Sequence, residues 1–231
     1  MAIPICLAMT AAEFLCCQNL PSSVGWMACH FSSSGSGLSN LPSALPQNSI
    51  LMVDDHIPFC GHDPETIARQ LTEMVHTFHL QAIILDFQRE AEPATRALAA
   101  LLHRQLPCSV VITPNYAPPD APILLPPCPL NTPLQKHIAD YIGREIWLEI
   151  ALEGLVMCID KAGYRASPVP YTDSKDFPHW DKEICCHYTI TPSQNSVSFH
   201  LQRSRADLQK LLEIVPSLGI VHAIGLWQEL G

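Results

Sequence analysis

A carboxylate and an amide end the apolar run Gln81–Gln88 (QAIILDFQ). If this run is a strand, alternation places Ala82, Ile84, Asp86 and Gln88 on one face. When that face lines a barrel, Asp86 and Gln88 sit at its mouth, where they can bind a polar ligand. Because a buried carboxylate is costly without a partner, the alternative is a structural Asp that caps a nearby loop.

A second candidate for a catalytic carboxyl is Glu149, in the run Ile146–Ile150 (IWLEI). Alternation puts Trp147 and Glu149 on the same face. An inward Glu149 would lie in apolar surroundings, which raise a carboxyl pKa and suit an acid catalyst. The alternative is a buried Glu that pairs with an Arg or a backbone amide.

Other polar and aromatic residues also stand at predicted strand ends. Asp54 and Asp55 stand at the end of the third predicted strand, where paired acids can bind a sugar hydroxyl or a metal, or simply begin a loop. Tyr116, Trp147 and Trp227 are candidates for stacking on a sugar ring, although most aromatic side chains belong to the core. Glu229 lies beside Trp227 and is alternatively a surface charge.

Three potential metal ligands lie close together in sequence: His56, Cys60 and His62. Their spacing fits no established zinc pattern, and no second half of a site is visible. We therefore predict no metal and no cofactor, although the sequence leaves open whether these three residues bind a metal. Motifs of triad hydrolases, dinucleotide-binding folds and P-loop enzymes are absent from the sequence.

Eight apolar runs are predicted to be the strands that position these residues. Near-continuous apolar runs that alternate with helices are typical of parallel strands covered on both faces. Asp63-Pro64 and Ser204–Asp207 have the composition of helix starts. The sequence thus predicts an α/β fold, a trimmed (β/α)8 barrel with early helices lost. The predicted strands are Ile3–Met9, Val24–His30, Ile50–Asp54, Ala82–Asp86, Ser109–Thr113, Pro122–Leu125, Glu145–Ala151 and Val221–Trp227.

The pattern changes at residues 154–202. Turn residues at Lys161–Gly163 and Pro192–Asn195 separate runs of hairpin type. We predict a small antiparallel insertion after the seventh strand, within a single barrel domain that spans residues 1–231.

The segment Gln81–Gln88 resembles the DxxDxDxE motif that ends the fourth strand of family 18 glycoside hydrolases. The closing run Ala223–Gly231 resembles the last strand of that family, whose final Trp floors the sugar subsite; Trp227 matches it. The resemblance implies a barrel that binds an oligosaccharide or amino sugar. Asp86 matches the last Asp of the motif, whereas Gln81, Ile84 and Gln88 replace its two other Asp residues and its acid. Since an amide has no proton to donate at neutral pH, the family mechanism cannot run from Gln88.

Charge and composition exclude other partners. The formal net charge is -9, and no Lys or Arg precedes Arg69. Neither a nucleic acid nor an anionic membrane is therefore an expected partner. The apolar stretch Met1–Cys17 lacks the positive charge of a signal peptide, and the ten cysteines contain no CxxC pair. We predict a cytoplasmic protein with free thiols.

These observations leave three hypotheses. The first is a barrel that binds a carbohydrate without the usual family catalysis. The second is an active glycosidase that uses Glu149 as a relocated acid. The third is a structural or interaction protein, including a homo-oligomer, in which a partner covers strands left bare by the lost helices.

Overall fold

Eight parallel strands form a closed barrel in the computed structural model, which describes residues 3–21, 23–172 and 177–231. Around the barrel the strand order is first, eighth, seventh, sixth, fifth, fourth, third and second, and the first and second strands also pair. The predicted fold class and all eight predicted strands are confirmed. The strands are Ile5–Met9, Val24–Phe31, Ile50–Asp54, Ala82–Asp86, Ser109–Ile112, Ile123–Leu125, Ile146–Ile150 and Ile220–Leu226.

The apolar runs are continuous because each strand buries both faces. In the fourth strand, Ile83 and Leu85 point outward and pack in one cluster with the buried residues of the surrounding helices. Ala82 and Ile84 pack instead in the barrel interior, with residues such as Met52. The barrel interior is therefore a packed core, and its chemistry is confined to the strand ends.

Within the described part of the chain, six α-helices accompany the strands. Asp63 caps α2 by accepting from the backbone N–H of Glu65 and Thr66, and Ser204 forms a capping box with Asp207 at the start of α5. The early connections are trimmed, since α1 has six residues and buries none of them. The helices are α1 Ala11–Cys16, α2 Pro64–Phe78, α3 Pro93–Gln105, α4 Leu134–Ile138, α5 Arg205–Ile214 and α6 Trp227–Leu230. Two 3-10 turns (Ala139–Tyr141, Val215–Leu218) and a two-residue strand (Leu38–Ser39) complete the elements.

A separate antiparallel sheet of five strands follows the seventh barrel strand, as the turn residues predict. Its core contains Leu130, Cys186 and Leu201. By contacts the chain forms two compact units; the barrel unit holds Pro4–Leu125, Arg144–Leu148 and His222–Gly231, and the five-stranded sheet belongs to the other. Among the helices of the described ranges, none combines the length and apolar character of a membrane crossing. The five strands are Glu153–Asp160, Gly163–Val169, His179–Asp181, Cys186–Pro192 and Ser196–Arg203.

Candidate functional site at the ends of the second, third and fourth strands

Three polar side chains lie in one row across neighbouring strands. His30 on the second strand pairs in register with Asp54 on the third, and Asp54 pairs with Asp86 on the fourth. Register partners in parallel strands face the same way. Ile84 and Met52, two residues before Asp86 and Asp54, pack in the barrel interior. The row therefore faces inward, at the carboxyl ends of the strands, where barrel enzymes carry their sites.

Each of the two Asp residues in this row is hydrogen-bonded by the side chain two residues later in the sequence. His56 contacts the Asp54 carboxylate through ring atom Nδ1, and its backbone N–H donates to the same oxygen at 3.0 Å. Gln88 donates its side-chain amide to Asp86 Oδ1. Asp86 is half-buried and Gln88 is exposed, so both residues present surface to solvent. Asp86 and Gln88 thus lie together, as alternation predicts.

Neighbouring negative charges repel the Asp86 carboxylate. Burial raises the pKa of Asp86 above its ordinary value, and the negative charges of Asp54 and Asp55 raise it further. The hydrogen bond from Gln88 opposes this shift by stabilising the carboxylate. The arrangement holds negative charge in a partly desolvated place, where a cation or a hydrogen-bond donor of a ligand gains most.

Asp55 has a different task from Asp54. It is buried, and its carboxylate accepts from the backbone N–H of Gln88 at 2.8 Å and of Arg89 at 3.2 Å. The Tyr116 hydroxyl lies 3.4 Å from the same carboxylate and 3.0 Å from the Arg89 carbonyl oxygen. Burial and the Asp55 charge raise the pKa of Tyr116 to about 12. Asp55 and Tyr116 therefore fix the loop that carries Gln88, and the Tyr116 ring is buried against Phe87.

Trp147 lies deep in the barrel interior. It is 2% exposed, stacks on His222 with ring centroids 3.9 Å apart, and donates from Nε1 to Glu145, which precedes the seventh strand. Its ring is thus not presented to solvent. Glu149, two residues further along, is half-buried and groups by contacts with the second compact unit.

Trp227 begins α6 and lines an open pocket of about 450 Å³ that also includes Glu13 and residues 16–19. Glu13 is already engaged in the capping box of α1. Glu229 is half-buried on α6, two residues after Trp227. This pocket follows the first and eighth strands, whereas the row at Asp86 follows the second to fourth.

Sequence reasoning missed His30. Among the described residues, one group of three potential metal ligands has its ligand atoms within 4.8 Å of one another: His30, Asp54 and His56. Cys60 and His62 are not in this group. His62 is buried and its Nε2 bonds the Ser32 carbonyl at 2.8 Å, while Cys60 is exposed.

Comparison with solved structures gives the fold. The chain is similar to the spore cortex-lytic enzyme SleL of Bacillus cereus (TM-score 0.61, 9% identity, 99% of this chain and 71% of that one). It is also similar to a chitinase from Chromobacterium violaceum (0.59, 10%, 98% and 95%) and to a GH18 chitinase from Cycas revoluta in complex with allosamidin (0.57, 8%, 98% and 94%). No protein-family model matches the sequence, and the comparison with curated proteins finds no match. The barrel of this chain thus has the fold of GH18 chitinases, as the sequence resemblance implies.

Proposed function

We propose that the chain binds an amino-sugar oligosaccharide at the ends of its second to fourth strands, without hydrolysing it by the family 18 mechanism. The observation that carries the proposal is the inward pair of Asp86 and Gln88, in which the Gln88 amide bonds the Asp86 carboxylate. Gln88 is the residue that the sequence resemblance aligns with the family's acid. Fold likeness alone does not assign a function, so the site carries the argument.

The pair suits a sugar because it offers both kinds of hydrogen-bonding group. Asp86 accepts from hydroxyl or acetamido N–H groups, and the exposed Gln88 amide both donates and accepts. Two similar structures of Cycas revoluta GH18 chitinase are complexes with (GlcNAc)3 and with (GlcNAc)4, the latter in a mutant that carries a Gln in place of a Glu. An amide in such a barrel is thus compatible with a bound oligosaccharide.

The test is to titrate (GlcNAc)4 calorimetrically and to analyse the same mixtures for shorter products. Wild type should bind and yield no products. Asp86→Ala should weaken binding about tenfold or more, since a hydrogen bond to a charged group contributes about 1.5–3 kcal/mol. Gln88→Ala should weaken binding about three- to tenfold, since a hydrogen bond between neutral groups contributes about 0.5–1.5 kcal/mol. Gln88→Ala leaves the backbone N–H that Asp55 accepts unchanged.

Gln81→Ala is the matched control, because it removes the same amide group from the residue that precedes the fourth strand, at the end away from Gln88, and should change binding less than twofold. Cleavage by wild type that disappears in Gln88→Ala would overturn the proposal, as would the absence of any binding. Cleavage that disappears in Glu149→Gln instead would establish the relocated-acid glycosidase.

A further inference from the structure

The group His30, Asp54 and His56 has the composition of a transition-metal site. Two imidazoles and one carboxylate are the donor set of catalytic zinc centres, which keep a further position for water or substrate. The ligand atoms come from two adjacent strands and the residue two beyond Asp54, and all lie within 4.8 Å of one another. Ligands of one zinc ion at tetrahedral angles lie about 3.3 Å apart. Rotation of side chains alone can therefore close the group around an ion.

His30 is oriented for this role by its own backbone. Its Nδ1 lies 3.1 Å from the carbonyl oxygen of Ala28. A neutral ring that donates from Nδ1 keeps its lone pair on Nε2, which is the arrangement found in histidines that bind metals. The two rings are close, with centroids of His30 and His56 4.3 Å apart.

Charge points to the same ligand. Asp54, Asp55 and Asp86 place three carboxyl groups at the ends of two adjacent strands, and a divalent cation at Asp54 would offset their repulsion. Asp86, the register neighbour of Asp54, would then lie beside the metal and could accept a hydrogen bond from metal-bound water or a ligand hydroxyl. Mixed nitrogen and oxygen donors select zinc and neighbouring first-row metals over magnesium, which prefers oxygen alone.

We propose that His30, Asp54 and His56 form a binding site for one divalent transition-metal ion, with zinc as the first candidate. The test of this site is independent of the sugar-binding test, because zinc binding is measured with no oligosaccharide present. Failure of one proposal therefore leaves the other standing.

The experiment uses the full chain, treated with EDTA, reduced and desalted, and titrated with Zn²⁺ by calorimetry. Wild type should bind one ion per chain at micromolar or tighter affinity and give no heat with Mg²⁺. His56→Gln should weaken binding at least tenfold, and because the His56 side chain is 58% exposed, this variant should keep its fold. Asp54→Asn and His30→Ala should weaken binding at least as much, with folding checked by circular dichroism.

Two controls separate this site from other donors. His76→Ala removes an exposed imidazole on α2, and Cys60→Ser removes the exposed thiol nearest to His56 in sequence; both variants should bind zinc within twofold of wild type. With Co²⁺, wild type should show visible d–d bands without a near-ultraviolet thiolate charge-transfer band. A thiolate band, wild-type affinity in His56→Gln and Asp54→Asn, or no zinc binding would each overturn the proposal.

Discussion

Arg203 is paired with a charge of opposite sign, whereas Asp86 lies near charges of its own sign. Arg203 is 1% exposed, and its guanidinium donates to three carbonyl oxygens and to the Glu153 carboxylate at 2.6–3.3 Å. Asp86 is half-buried, and the charges that act on it, those of Asp54 and Asp55, have its own sign. The first arrangement stabilises the second compact unit; the second arrangement costs the barrel stability and is of the kind found at ligand sites.

Asp55 shows that a charged residue is structural or part of a site according to its hydrogen-bond partners and not according to its residue type. It is the same residue type as its neighbour Asp54 and is more buried, yet its carboxylate accepts hydrogen bonds from two backbone N–H groups. Adjacent residues of one strand end thus divide into a structural acid and a site acid. Side-chain direction accounts for this, because successive residues point to opposite faces.

The largest expected effect is from Arg203→Met. This change leaves Glu153 without its buried cation and three carbonyl oxygens without a donor, so we expect a loss of about 3–5 kcal/mol in the free energy of unfolding. Arg165→Met is the control, since that side chain is 71% exposed and pairs with Asp160 at the surface, where such pairs contribute at most about 1 kcal/mol. Urea denaturation compares the two. Equal losses would contradict the contrast.

Asp55→Ala should cost about 1–3 kcal/mol, because it leaves the backbone N–H groups of Gln88 and Arg89 without their acceptor. It should also weaken (GlcNAc)4 binding by loosening the loop that carries Gln88. Asp54→Ala, one residue earlier, should cost less stability. Denaturation midpoints of the two variants measure the difference, and a reversed order would contradict the division between the two acids.

Asp86→Asn, in contrast, should stabilise the protein. The change removes a charge that burial and two neighbouring acids disfavour, and it keeps an oxygen that can accept from Gln88. We therefore expect the midpoint temperature of thermal unfolding at neutral pH to rise by about 1–3 °C. Sugar binding should fall in the same protein. A variant that unfolds earlier than wild type would show that the Asp86 charge is compensated after all.

The smallest effect concerns His222, at the other end of the barrel interior. Burial against Trp147 lowers its pKa from 6.5, and the Glu145 charge opposes this only in part. The unfolded chain therefore binds more protons than the folded one below pH 6.5, so stability falls as pH drops through that value. His222→Gln should reduce this slope. His76→Gln, at an exposed site, should leave it unchanged, and urea midpoints between pH 5 and 8 provide the measurement.

Much of the barrel could be predicted from local sequence. The apolar runs predict all eight strands because burial on both faces removes polar residues from them. The inward direction of Asp86 and Gln88 follows from alternation along Ala82–Asp86, which is regular. Helix starts at Asp63 and Ser204 are local hydrogen-bond patterns and are found where the sequence predicts them.

Side-chain partners could not be predicted in the same way. The sequence does not reveal that the Tyr116 hydroxyl reaches the Arg89 carbonyl, nor that Trp147 stacks on His222, since those contacts join residues 27 and 75 positions apart. Both aromatics were candidates for sugar stacking because they follow or occupy strands. The structure places each in a buried, hydrogen-bonded position.

The direction of the His30 side chain could not be predicted from alternation. Alternation from Trp26, which packs outward, would turn His30 outward as well. A register shift between Trp26 and Cys29 adds one residue to the second strand, so Cys29 packs outward and His30 faces inward beside Asp54. The sequence by itself determined eight strands and the face of Asp86, because these depend on local alternation and burial. Only the tertiary structure decided that His30 joins Asp54 and His56, because a bulge reverses the facing of every residue after it.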